Sequence, residues 1–366
     1  MQAQKIVVIH PGSLYLRIGR ASDLNPLTIL HAIGRKRKSN SDQKLQYHDP
    51  LLPSLVTKDK QNEVMQEFEE SRLNVSHAIQ SHRPQHEERY GGLKRQRIAT
   101  PPQQIATFNR RTVPEELPLE ASIKNEGIRV KNETNGENNK LPNNIFDKDL
   151  LKLNFNEEKQ YNVHFPIKRG ELNIHSQVGG SLTSVLSDLE DIWSYAIHEL
   201  MEIPRKNLAQ YGAVLVVPDV YNRSVLRELV TLLLSRLKFR ACFLIQDHVA
   251  ATFGAGLGYA CVVDVGDQKC SISCVEDGIS HPDTRVRLGY GGGDVTQVFL
   301  ALLRKCCFPY KNCNVDDDYD DAVLIMNLKE KFCHLNLDVC GAQEKTFEVC
   351  AMNAYLKCIF SKTNFR

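Results

Sequence analysis

Residues 5–20, KIVVIHPGSLYLRIGR, and residues 259–276, YACVVDVGDQKCSISCVE, decide how this chain folds. In the first, an apolar run from Lys5 to His10 is broken by Pro11, Gly12 and Ser13 and resumes from Leu14 to Arg20, which reads as two strands around a tight turn. In the second, Ala260 to Val265 and Cys270 to Val275 flank a turn at Gly266 to Lys269 and read as another hairpin. Each hairpin by itself is an ordinary turn in a sheet. Two of them, each with glycine and a small or acidic residue at its tip, can face one another across a cleft and hold the phosphates of a nucleotide. The backbone N–H groups of Ser13 and Leu14 on one side, and of Val265, Gly266 and Asp267 on the other, would line anion-binding concavities beside the glycines. Asp264 would then face the Mg²⁺ of Mg-ATP through water, because magnesium sheds its shell reluctantly.

Working outward, apolar positions from Leu182 to Leu200 recur at helical spacing behind Ser181, a good N-cap. Ala213 to Val217 reads as a buried strand, Arg223 to Leu237 as an amphipathic helix, Ala241 to Gln246 as a strand and His248 to Leu257 as a helix. Such alternation predicts an α/β layer with a largely parallel sheet. After a short strand at Arg285 to Leu288 comes a cluster of Gly289, Gly291, Gly292 and Gly293, with Asp294 placed to cap a helix through Val298 and Leu303. The cluster could line the nucleotide or let strand and helix pack closely.

Residues 34–160 are polar and carry basic groups at Arg35–Lys38, Lys94–Arg97 and Arg110–Arg111; they read as a flexible insertion without a core, with a short helix at Glu63 to Leu73. The basic groups suit nuclear import, phosphate contacts on DNA, or a merely solvated loop. The acidic run from Asp316 to Asp321 lacks the glycine and spacing of a calcium loop and reads as the lead into a helix at Leu324 to Cys333. Over 366 residues the net charge is only +2, so the overall field names no partner. No segment has the length or apolarity of a signal peptide or a membrane span. All eleven cysteines lie from Cys242 onward without paired CxxC spacing, which argues against a disulfide framework or a zinc ribbon and for a reducing compartment.

The order hairpin, insertion, α/β layer, second hairpin, glycine cluster resembles the actin family. VVIHPGSLYLRIG is similar to that family's first phosphate loop, FPIKRGEL with DLEDIW to its Pro-Ile-x-x-Gly segment and Trp-containing helix, and VVDVGDQ to its second phosphate loop. GGGDVT and LKEKFCHLNLD extend the resemblance to about Leu337, and the last stretch is particular to actins within the wider superfamily. The resemblance implies a two-lobed, ribonuclease H-like α/β fold. Its first lobe would comprise residues 1–33 and 161–255, its insertion 34–160, a partial second lobe 256–349, and an atypical tail 350–366.

On the same grounds the expected nucleotide-binding set is Gly12, Ser13, Leu14, Arg17, Asp264, Val265, Gly266, Asp267, Gly291 and Gly292, with ATP and Mg²⁺ as ligands and Asp264 near the metal. The HPGS variant and the basic insertion resemble a chromatin-associated branch of actin-related proteins that serve in the INO-eighty type of nuclear remodeller. That branch implies a nuclear protein acting in transcription regulation and DNA repair. Its expected partners are a helical region of the remodeller motor, actin and another actin-related protein, histones and DNA, with no membrane.

Departures from the family set the expected activity. His10 stands where actins carry an acidic residue, Leu14 where they carry glycine, Gln268 at a glycine-like position, and Ser271 where a catalytic histidine belongs. The water-orienting glutamine corresponds to Asp247, or to Gln246 after a one-residue slip. Hydrolysis needs an oriented nucleophile and stabilised charge at the γ-phosphate, so slow turnover at best is expected, with ATP as structural glue. The rival reading is an actin-fold ATPase or kinase using Asp264 and Asp247. The family's chain continues well beyond LKEKFC, whereas this one ends at Arg366; a non-productive, shortened form with weakened ATP binding is the third reading.

Overall fold

The computed structural model describes residues 2–37, 47–52, 70, 115–116, 142–151, 161–305, 313–333, 345–351 and 354–360. Two compact units are present: residues 1–53, 128–297 and 314–327 form one, and residues 54–127, 298–313 and 328–366 the other.

In the larger unit, five strands lie in the order Ala241–Gln246, Gly212–Val217, Ile6–Pro11, Tyr15–Arg20 and Leu27–Leu30. The first three run parallel, with Ile6 beside Gly212 and Gly212 beside Ala241. The rest form an antiparallel meander, with Val7 opposite Arg20 and Tyr15 opposite Leu30. Parallel strands must be joined by crossovers, and the helix Arg223–Thr231, extended by a π-helical turn Leu232–Arg236, supplies one.

Helix Leu182–Tyr195 begins where Ser181 Oγ accepts the Ser184 N–H at 3.2 Å, as the N-cap expectation required. Its Val185, Leu186, Leu189, Ile192 and Trp193 are buried against Val7, Ile9, Leu16, Ile18 and Leu215 in one apolar core. Burying each such side chain is worth about 1.5–3 kcal/mol, so this face fixes the helix on the sheet.

A second sheet pairs Tyr259–Val265 with Cys270–Glu276, which also pairs with Ile279–Ser280 and Val286–Leu288. Helix Gly292–Lys305 follows the glycine cluster. It starts ahead of Asp294, which therefore sits inside the first turn, where its Oδ2 accepts the Gly291 N–H at 2.8 Å. Helix Tyr319–Phe332 carries Asp320 and Asp321 in its first turn, where acidic groups complement the helix dipole.

The expected insertion is narrower than its composition suggests. Strand Ile33–Lys36 lies between Asn144–Phe146 and Tyr161–His164, and Leu51, Leu52, Ile145 and Leu150 are buried. Strands of three or four residues hold too few apolar positions to show a period. Arg35 is also removed from the basic patch: its guanidinium pairs with Asp188 and Asp191 at 2.5 and 2.9 Å. The expected helix at Glu63 to Leu73 lies outside the described residues apart from Glu70, as do Lys94 to Arg97 and Arg110 and Arg111. In the smaller unit the backbone of Lys345–Ala351 pairs antiparallel with Ala354–Phe360 and parallel with Glu115–Glu116, so the tail begins within a strand.

Candidate functional site

At the first hairpin, the Gly12 N–H closes the turn on the Tyr15 carbonyl at 3.0 Å. Ser13 Oγ accepts the Gly170 N–H at 3.1 Å, and Leu14 is buried, its carbonyl taking the His31 N–H at 2.8 Å. Among the described residues no protein acceptor takes the N–H groups of Ser13 and Leu14, which leaves two adjacent donors at the tip. His31, wholly buried, buttresses the turn from beneath. Its Nδ1–H donates to the Gly12 carbonyl at 2.7 Å, and its Nε2 accepts the indole N–H of Trp193 at 3.3 Å. Burial brings the His31 pKa down to about 4, so the ring stays neutral at physiological pH, as this pair of bonds requires.

At the second hairpin, the Gly266 N–H closes its own turn on the Lys269 carbonyl at 2.9 Å and is thereby withdrawn from the expected anion site. The glycine cluster docks onto the same tip, Gly292 N–H to the Gly266 carbonyl at 2.9 Å and Gly293 N–H to the Asp267 carbonyl at 2.7 Å. A Cβ on Gly291 would lie 2.4 Å from the Gly266 carbonyl oxygen, closer than atoms can pack. Of the two uses open to the cluster, these contacts are of the packing kind.

Arg169 and Gly170 join the two hairpins. The Arg169 N–H donates to Oε1 of buried Gln268 at 3.0 Å, while Gly170 holds Ser13 and lies against the Lys269 side chain. The Arg169 guanidinium is bidentate on Asp294, at 2.8 and 3.2 Å, and also reaches the Gly289 carbonyl. Gln268 is therefore a tether for the connecting turn, a use glycine could not serve.

Charge converges between the tips. His10 lies at the end of the first strand, opposite Arg17 in the register. Burial, with Arg17 and Lys269, lowers its pKa against the pull of Asp247 and Asp264, so all four charges stand near one imidazole. Lys269 Nζ is 3.4 Å from Asp247 Oδ2, and Asp247 Oδ1 accepts the Asp219 N–H at 3.0 Å and the His248 N–H at 2.9 Å. It is Asp247, therefore, that faces the site, and its carboxylate is already engaged. Asp264 is half-buried opposite Ser271 in the register of the second hairpin. Paired donors at Ser13 and Leu14, two cationic side chains and a carboxylate fit a metal-bound triphosphate.

Behind the second hairpin lies a buried network. His248 Nδ1 is 2.6 Å from Ser273 Oγ and 3.2 Å from Asp219 Oδ2, and its Nε2 is 3.0 Å from Ser271 Oγ. Ser273 and Ser280 both donate to Asp219 Oδ2. Burial opposes ionisation of Asp219, yet the hydrogen bonds from His248, Ser273 and Ser280 hold its pKa down to about 2. Burial likewise opposes protonation of His248, and Asp219 and Asp247 outweigh it and raise its pKa. Asp219, Asp247 and His248 bring ligand atoms within 4.8 Å of one another, but these bonds already employ most of them.

Gly12, Ser13 and Leu14 thus lie at the first turn with Arg17 opposite His10, and Asp264, Val265, Gly266 and Asp267 at the second, while Gly291 and Gly292 pack on that second tip and the Gly266 N–H serves its own turn. Spacing gave no sign of His31, Arg169, Asp219, His248 or Lys269. The one available signal was the Arg-Gly step inside FPIKRGEL, two residues at positive φ, 50° and 77°, that form the connecting turn.

A family model described as Actin matches residues 1–343. The actin-related protein 8 of Aedes aegypti is 53% identical over 349 residues, covering 95% of this chain and 57% of the relative. Those of Drosophila melanogaster and Mus musculus are 52% and 40% identical, again over 95% of this chain, and are covered to 55% and 52%. This chain therefore spans a little over half the length of these relatives. Among solved structures, the human actin-related protein Arp8 in its ATP-bound state matches with a TM-score of 0.79 at 36% identity, over 100% of this chain and 68% of that one.

Proposed function

We propose, from the premise that this chain belongs to the actin family and to its actin-related protein 8 group, that it binds Mg-ATP between its two hairpin turns as a structural ligand and serves as an assembly subunit. The observation that carries this reading is the pair of turn tips, Ser13 and Gln268–Lys269, held on either side of the Arg169–Gly170 turn around a cluster of two cations and two carboxylates. A ligand that bridges the two hairpins holds them together, and saturation by some hundred- to thousand-fold over Kd contributes about 3–4 kcal/mol. Ser13 and Leu14 would supply N–H groups to the phosphates, Arg17 and Lys269 positive charge, and Asp264 a contact to Mg²⁺ through water. The metal would neutralise the phosphates. What this chain contributes is a closed, folded frame.

Turnover is disfavoured by the same contacts. Ser271 is buried and directed at His248, and Asp247 is engaged by Lys269 and two backbone N–H groups, which leaves neither to orient a water. As a nuclear subunit the chain would join a remodeller of the INO-eighty type through the helical region of the motor, beside actin and a second actin-related protein. It would meet histones and extranucleosomal DNA, with a role in transcription regulation and repair. DNA contact would fall to Lys94, Arg95 and Arg97, since Arg35 is engaged by two aspartates.

Thermal unfolding with and without Mg-ATP, paired with steady-state phosphate release, tests the reading. A rise in Tm with no release above buffer is the expected result. An unchanged Tm at millimolar Mg-ATP removes the structural-ligand reading, and release abolished by Asp264→Ala would make the protein an ATPase.

A further inference from the structure

Away from the nucleotide site, Asp49, His164 and His175 bring one ligand atom each within 4.8 Å of one another, on the small sheet that contains strand Tyr161–His164. Asp49 and His164 are 4% and 5% exposed, while His175 is half-buried and opens the cluster to solvent. The sequence reading singled out none of the three.

Three features set this cluster apart from an incidental meeting of polar side chains. The Asp49 carboxylate is held from behind: Oδ1 accepts the Tyr47 hydroxyl at 2.8 Å, and Oδ2 accepts the Phe165 N–H at 3.0 Å and the Asn173 amide at 3.1 Å. Outer donors of this kind orient a ligating carboxylate. The His164 ring, by contrast, makes no hydrogen bond with the described residues, which leaves its ring nitrogens to a ligand. Finally, the rings are held in place. Tyr47 stacks on His164 and on His175 with centroids 5.3 and 4.6 Å apart, and Gly179, at φ 85°, lies so close to His164 that a Cβ there would sit 2.3 Å from Cε1. Only glycine combines that φ with that approach.

We propose that Asp49, His164 and His175 form a binding site for a divalent transition metal, zinc in the first place, with a solvent molecule in the fourth position. Two imidazoles and one carboxylate suit zinc, whereas calcium and magnesium take oxygen ligands only. Tetrahedral bonds of about 2.0–2.2 Å set ligand atoms about 3.4 Å apart, so the three side chains must draw together, with His175 on the solvent side having most room to move. Binding also costs the 3.2 Å contact from the Gln177 N–H to His175 Nδ1, because a ligating imidazole keeps its other nitrogen protonated. The ion would join His175, at the start of the loop before helix Leu182–Tyr195, to Asp49, whose carbonyl holds the buried Tyr319 hydroxyl.

The test uses the whole chain, stripped with a chelator and titrated with zinc against a competing indicator, and with cobalt(II) as a spectroscopic probe. The proposal expects one tight equivalent of zinc and the intense visible absorption of low-coordinate cobalt. His175→Gln, at a half-buried position, should weaken binding about 100-fold and abolish that absorption while Mg-ATP stabilisation persists; Asp49→Asn should weaken zinc as well. The absence of a tight equivalent would overturn the proposal, as would zinc binding undiminished in His175→Gln, which would place the ion on the cysteines.

Discussion

The indole of Trp193 and the imidazole of His31 meet through a 3.3 Å hydrogen bond at zero exposure, and the far side of that imidazole holds the carbonyl of Gly12. A helix residue thereby sets the position of the first hairpin's tip through a single buried ring. The link runs one way only: the indole can only donate, so Nε2 must accept and Nδ1 must donate.

Trp193→Phe keeps most of the apolar burial and removes the donor. His31 Nε2 is then left buried without a partner, at a cost of about 1–3 kcal/mol. Denaturant unfolding should show that loss of stability. The affinity for Mg-ATP should fall with it, since the donors at Ser13 and Leu14 are part of the same turn; unchanged affinity at reduced stability would separate the two.

Acid should act through the same ring. The folded-state pKa of His31 lies near 4, below the ordinary 6.5, so the unfolded chain takes up a proton that the folded chain refuses. Stability is then full above about pH 6.5 and is lost progressively down to about pH 4, by about 3 kcal/mol from this residue. Denaturation midpoints across that interval measure the effect. His31→Gln, which cannot titrate, should flatten the slope relative to its own stability at pH 7.

Arg169→Ala leaves Asp294, 5% exposed, without its bidentate partner, and frees the Gly289 carbonyl. A loss of about 2 kcal/mol is expected by thermal unfolding. Arg169→Lys should recover only part of it, because an ammonium cannot form the fork that meets both carboxylate oxygens.

Gly291→Ala places a methyl 2.4 Å from the Gly266 carbonyl oxygen and must push the glycine cluster off the second hairpin. Hydrogen exchange should rise at the amides of Gly292 and Gly293, whose acceptors lie on that hairpin. Stabilisation by Mg-ATP should shrink if the tip moves; protection equal to the parent chain would show that the strand yields instead.

Much of this fold was legible in the sequence because its signals are local. The cap at Ser181, the turn at Gly12 and the alternation from Gly212 to Gly254 each lie within a few residues of the groups they organise. What escaped reading is what joins distant segments: His31 to Trp193 across 162 positions, Arg169 to Asp294 across 125, Asp219 to Ser280 across 61. A hydrogen bond between distant segments leaves no periodic trace, since neither partner's own neighbourhood in the sequence names the other. The same limit hid the small sheet, where buried Ile145 and Val163 flank Gly34 across three short strands. At the site, glycines marked the turns correctly, but spacing could not tell which N–H groups the protein would use for itself.

Strand Tyr259–Val265 has a neighbour on one side, Cys270–Glu276, and among the described residues none on the other. Tyr259, Val263 and Val265 on it are 80%, 60% and 67% exposed. A row of unmet peptide groups beside oily side chains is an invitation to another polypeptide. Handled in isolation, this molecule should self-associate first along that margin, and lysine placed at Val263 should keep it in solution.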